Sequence, residues 1–129
     1  MTYIVKHWRG ELSLATSFWI NTVGLNVIFR AVEALLSETS LVDDSVLTAQ
    51  IILVSTFVHT VVVYPWQMIG LWHSAHNHIK NTQNATWPNV VKVLVVISII
   101  GTIGNLMTNH EHHKNLWRIA VSNSAKPLD

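Results

Sequence analysis

Six of the eight histidines fall into two clusters, His73, His76 and His78, then His110, His112 and His113. Imidazoles at i and i+3 share a helix face, so His73 and His76 have the spacing of a zinc or copper site, with His78 as a third ligand. Glu111 is the one carboxylate beside either cluster. The more ordinary role for both clusters is contact with water or lipid headgroups. There is no cysteine, which excludes disulfides, thiolate zinc sites and cysteine-ligated iron–sulfur clusters. No Ser-His-Asp set, glycine-rich phosphate loop or paired carboxylate site is visible, so no residue is assigned as catalytic.

His59 stands apart from the clusters. It lies inside Leu47–Trp72, a run with no Asp, Glu, Lys or Arg. An ionisable residue within a membrane span is a functional hypothesis by default. The first expectation is packing against a neighbouring helix, with a hydrogen bond to a carbonyl, Thr or Asn. The second is a proton relay. His59 and His73 are also 14 positions apart on one helix, a spacing that suits two stacked haems. Each haem would need a ligand from another subunit, because the other two spans have no interior histidine. The cofactor, if any, stays unassigned.

Asn21, Asn26, Arg30 and Glu33 follow steps of five, four and three, so they fall roughly along one helix face. Arg30 and Glu33 at i,i+3 can pair. An Arg turned to lipid deep in a bilayer costs at least a few kcal/mol. The stripe therefore faces protein, water or the headgroups. Asn105 recurs at helical spacing with Ser98, Gly101 and Thr102, a pattern of small residues that lets helices pack closely. Asn21, Asn26, Arg30, Glu33, His59 and Asn105 together make a polar intramembrane face.

The elements that carry these residues follow from hydropathy. A hydrocarbon core of roughly 30 Å takes about 20 apolar residues as helix. Three stretches meet that length, at about 14–36, 47–73 and 89–107, and an amphipathic tail helix is expected at about 110–122. The fold class is an all-α membrane protein, one domain over 1–129, with three transmembrane helices and a short interfacial C-terminal helix. Only 12% of residues are charged, about half the globular norm of roughly 25%. Net charge is +1 and no basic tract points to nucleic acid.

Within these spans, Pro65 predicts a kink or a re-satisfied break, because it lacks an N–H and crowds the Val61 carbonyl. Tyr64, Trp66 and Trp72 suit a membrane–water interface. Ser13 or Thr16 can cap the first helix, and Asp44 or Ser45 the second. Residues 37–46 read as an acidic loop. HSAHNHIKNTQNATWP, after Trp72, carries loop chemistry in its Asn-rich part, and Pro88 suits the first turn of the third helix. Residues 1–12 read as an amphiphilic juxtamembrane segment, and the end around Pro127 as frayed.

HWRGELSLATSFWIN (7–21) and YPWQMIGLWHSA (64–75) resemble a loosely defined group of bacterial inner-membrane segments. That group has a WRGE–SL–FW opening and a later W-Q-x-x-G-x-W-R-S-A stretch, with His73 here in place of the arginine. The match covers about a fifth of the chain. The group has no assigned activity, so the resemblance implies a bacterial inner membrane and names no reaction.

Three spans with polar stripes cannot easily hide them all from lipid. The expected function is a small non-enzymatic membrane subunit that forms a homo-oligomer or joins other membrane subunits, in contact with membrane lipid. The alternatives are a channel or proton conduit lined by polar residues of the spans, and a haem- or metal-binding redox subunit. Lys6, Arg9 and Lys80 fall on one side and Lys114, Arg118 and Lys126 on the other with the acidic loop, so the positive-inside rule is near balance, and counting Lys92 leans the orientation towards a cytoplasmic N-terminus.

Overall fold

A computed structural model describes residues 2–38 and 45–122, apart from the side chains of 37, 38, 45, 112 and 122. All of its regular elements are helical. They are α1 (Tyr3–Trp8), α2 (Leu25–Glu38), α3 (Ser45–Val58), α4 (Tyr64–Thr82), α5 (Thr86–Thr108) and α6 (His110–Ser122). Two π-helical stretches, Thr16–Gly24 and His59–Val63, lead into α2 and α4. Three continuous helices are long and apolar enough to cross a membrane: Thr16–Leu36, Val46–Thr82 and Thr86–Thr108. Of the loop expected over 37–46, Ser37 and Glu38 belong to α2 and Ser45 and Val46 to α3; residues 39–44, the cap expected at Asp44 or Ser45, and the end around Pro127 lie outside the described residues and side chains.

The first span begins where the Ser13 hydroxyl accepts a hydrogen bond from the Thr16 amide, 3.1 Å. This is the capping role expected of serine. The π stretch that follows is rich in hydroxyls and amides. Thr22 donates its hydroxyl to the Ser17 carbonyl and Asn26 its amide to the Thr22 carbonyl. Such side-chain bonds compete with the i→i+4 ladder and help hold a wide turn open.

The second span is one helix of 37 residues, about 55 Å long at 1.5 Å per residue. It continues through Pro65. The irregularity expected there takes the form of the π turn over His59–Val63, immediately ahead of the proline. A wide turn leaves room for a ring that has no N–H to donate. The helix also runs on past Trp72 to Thr82, nine residues beyond the expected end. It stops at Gln83, which adopts φ 56° and donates to the Ile79 carbonyl.

That extension exists because α1 docks on it. A six-residue helix is not stable alone in water. α1 closes with Gly10 at φ 70°, the Gly10 amide bonding the His7 carbonyl and the Glu11 amide the Lys6 carbonyl. This is a Schellman end. Four further carbonyls are taken by side chains of α4. Trp66 Nε1 donates to Ile4, His73 Nδ1 to Trp8, and Asn77 Nδ2 to both Arg9 and Gly10.

A small apolar core joins the first span, α4 and the start of α5. It consists of Leu14, Met68, Leu71, Ala75, Val91 and Val95, flanked by Phe18 and Tyr64. Trp87 meets Phe18 edge-on at 5.7 Å, and Lys92 lies over Trp72 at 5.3 Å. These rings and Lys92 cluster at one end, a composition that suits a membrane–water interface. Towards the other end α2 and α5 share no extensive contact, and α6 packs back against α3.

Gly10 tests the docking. A Cβ there would sit 2.5 Å from the His73 backbone carbon, on a residue already at positive φ. Gly10→Ala should cost at least about 1–2 kcal/mol of docking energy. Hydrogen exchange of the amides in 73–82 should then rise well above the parent protein. Equal protection in both proteins would show that α1 does not hold the extension.

Candidate functional site: a polar seam and a polar cleft

The described buried polar side chains, His7, Ser17, Asn21, Gln67 and Ser74, all lie between α1, the first π stretch and α4. Tyr3 donates its hydroxyl to Asn21 Oδ1 at 2.7 Å, and Asn21 Nδ2 lies 3.0 Å from His7 Nδ1. An amide N–H can only donate, so Nδ1 accepts and His7 carries its proton on Nε2. The His7 ring rests on Trp66, with centroids 4.4 Å apart. Ser17 and Ser74 share a hydroxyl bond of 2.7 Å. Gly70 gives the seam its depth, because a Cβ there would overlap the His7 ring.

Burial pushes the His7 imidazole below its ordinary pKa, while the Gln67 backbone carbonyl works in the opposite direction. The geometry agrees. The Nδ1 lone pair already faces a donor, and protonating it would set N–H against N–H.

Asn26 links this seam to a second feature. Its amide donates to Gln67 Oε1 at 3.1 Å, and its side chain also lines a cleft of about 950 Å³. Arg30 and Glu33 of α2 line that cleft, facing His59 and Tyr64 of the second span and Asn105 of α5. The Arg30 guanidinium pairs with Glu33 at 3.2 Å, and Thr56 donates its hydroxyl to the other Glu33 oxygen at 3.2 Å. His59 stacks on Phe29 with centroids 4.3 Å apart. Tyr64 and Ser98 exchange a hydroxyl bond of 2.9 Å across the upper end.

The sequence-based polar face thus divides in two. Asn26, Arg30, Glu33, His59 and Asn105 share the cleft. Asn21 belongs to the seam, because it sits inside a π stretch where helical spacing no longer applies. Two further expectations change. Among the described residues His59 Nε2 has no hydrogen-bond partner, although it is buried. Gly101, expected to pack closely against a neighbour, has nothing within 4 Å of its Cβ position, and neither has Gly104.

The structure does not bring His73, His76 and His78 together as a set of three ligands. Among the described residues no three His, Asp or Glu side chains converge on a metal position. His73 spends Nδ1 on the Trp8 carbonyl, and His78 lies two residues past His76, which turns it about 160° away on the helix. The residues missed from sequence are Tyr3, His7, Gly10, Ser17, Gln67, Gly70 and Ser74. All but Tyr3 fall within 7–21 and 64–75, so the two stretches that carry the resemblance are the two halves of the seam. No family model matches the chain, and neither does any curated protein or solved structure.

The seam has a pH dependence of definite sign. Above about pH 6.5 His7 is neutral both docked and released, and docking is at full strength. As pH falls through that value the released form binds a proton first, so docking weakens until the lowered folded pKa is passed. The chain has no cysteine, so a spin label at Lys6→Cys reports α1 cleanly. It should be immobile at neutral pH and mobilise on acidification, and His7→Asn should remove the pH dependence. A label equally immobile throughout would contradict this assignment.

Proposed function

We propose that the protein is a small non-enzymatic multi-pass subunit of the bacterial inner membrane, and that it assembles through the open side of its cleft. The observation that carries this reading is the unpartnered wall of α5, with no atom within 4 Å of a Cβ at Gly101 or Gly104. Beside it the Arg30 side chain is 76% exposed. Polar groups facing lipid cost free energy, and small residues invite a close helix. A helix from a second copy or another membrane protein, laid between α2 and α5, covers both. Lys6 and Arg9 in and beside α1, Lys80 in α4 and Lys92 in α5 stand against Lys114 and Arg118 of α6, a small excess that leans towards a cytoplasmic N-terminus under the positive-inside rule.

The test is the size of the particle extracted in mild detergent, with its co-purifying proteins. The parent protein should run larger than one chain plus detergent. Gly101→Leu should shift it towards the single-chain size by filling the contact. A parent protein that extracts as a lone chain, with no companion, would refute assembly.

A further inference from the structure

We propose that the cleft is a water-filled vestibule reaching in from the α6 end, and that it makes the Arg30–Glu33–His59 cluster a proton-binding site accessible from that end alone. The site rests on the same cleft as the proposed assembly contact and shares Arg30 and Gly101 with it; the vestibule is the part of the cleft towards Asn105, Asn109 and His113, which a helix laid on Gly101 leaves open to the α6 end.

Three observations carry it. First, the cleft has both volume and polarity. At about 950 Å³ it has room for many waters. Its walls carry Asn26, Thr60, Thr102, Asn105 and Asn109, which offer both donors and acceptors. Second, His59 Nε2 is buried without a partner among the described residues, as are His7 Nε2 and Gln67 Nε2 of the seam, and of the three residues His59 is the one that lines the cleft. Buried polar atoms are satisfied by protein or by ordered water, and the adjoining cleft is where such water is available. Third, the two ends differ. Asn109 and His113, at the start of α6, line the cleft. At the opposite end the Tyr64–Ser98 and Asn26–Gln67 bonds tie the second span to its two neighbours. Beyond them lies the apolar core of Leu14, Met68, Leu71 and Val95.

The π turn places His59 for this role. Eight α-helical residues would set His59 about 80° away from Gln67, and the extra residue of a π turn takes back about 100°. His59 is thereby brought under Gln67, on the face that meets α2.

The chemistry is simple. A hydronium in the cleft gives its proton to an imidazole nitrogen and becomes water. The imidazolium later returns that proton to water by the same route. Only N–H and O–H bonds form and break. The groups that face His59 are Arg30 and Glu33 from α2, Tyr64 from α4 and His113 from α6. α5 contributes no ionisable side chain to the cleft. With His59 neutral, the Arg30–Glu33–His59 cluster sums to zero charge. With His59 protonated it carries one positive charge, which the Glu33 carboxylate and the cleft water offset.

Single-cysteine variants of the reconstituted, otherwise intact chain test this. Thr102→Cys and Asn105→Cys stand in the cleft, whereas Ile97 and Ile100 are exposed on α5 outside its lining. A membrane-impermeant thiosulfonate reacts with thiolate, and therefore where water reaches. Positions 102 and 105 should be modified about tenfold or more faster than 97 and 100. The modification should occur only when the reagent is on the α6 side. The 15N signal of His59, assigned by its loss in His59→Gln, should change protonation state when the pH on that side is stepped between about 4 and 9. Stepping the pH on the α1 side should leave it unchanged.

Equal slow modification at all four positions would overturn the vestibule. A His59 that keeps one state throughout, or follows the α1 side, would overturn the proton site. Neither readout depends on particle size, so failure here is separable from failure of assembly.

Discussion

Two glycines set the distance between α1 and α4, and the polar seam depends on that distance. At Gly10 and at Gly70 a Cβ would collide with the opposing segment. Without side chains there, the carbonyls of α1 come within reach of Trp66, His73 and Asn77. That reach matters more near a membrane than it would in water. Lipid offers no donors or acceptors, so each backbone group left without a partner costs several kcal/mol. The side chains of α4 thus do for α1 what solvent would do elsewhere. In return α1 covers the turns of α4 that lie beyond the apolar run.

The apolar contacts do a different job. In water, burying Leu71 fully would contribute about 1.5–3 kcal/mol by removing it from solvent. Against lipid that transfer term vanishes, because acyl chains are as apolar as leucine. What remains of the Leu14–Leu71–Val91–Val95 core is packing, and it is small beside the many apolar side chains left exposed. Specific register between the spans therefore rests on the polar pairs, each worth roughly 0.6–2 kcal/mol in such settings. Tyr64–Ser98, Asn26–Gln67 and Ser17–Ser74 each join two different helices. They fix how the helices sit where hydrophobicity alone would let them slide.

Hydropathy made the three spans and the tail helix legible, because length and apolarity are local properties. The seam was not legible, for two reasons. Tyr3, His7, Gly10 and Ser74 lie in segments that read as tail or loop, 1–12 and the stretch after 73, while Ser17, Asn21, Gln67 and Gly70 sit in spans where nothing local marks them as partners of that tail. The π stretches also defeat a fixed spacing. Asn21 reads as a neighbour of Asn26 and Arg30, yet within Thr16–Gly24 it turns to Tyr3 and His7 instead. Pro65 announced an irregularity, but not that a π turn would absorb it without breaking the helix. His73 shows the same limit. Its type suggested metal, whereas its position uses it as a donor to a helix-end carbonyl.

The two polar features divide the molecule by what they do with water. In the seam, Gly70, Trp66 and Asn21 close around His7, whose ring is fully buried. Charge is excluded there, and burial lowers the affinity of that imidazole for a proton. In the cleft the helices diverge, Arg30 and Glu33 stand as an ion pair, and hydroxyls and amides share the walls with Phe29, Ile52, Leu106 and Leu116. Charge is tolerated there. One backbone feature serves both arrangements. The π turn before Pro65 directs His59 into the cleft, and the straight helix after it presents Gln67, Gly70 and Ser74 to the seam. A regular helix through the same residues would set His59 about 80° away from Gln67, off the face that meets α2.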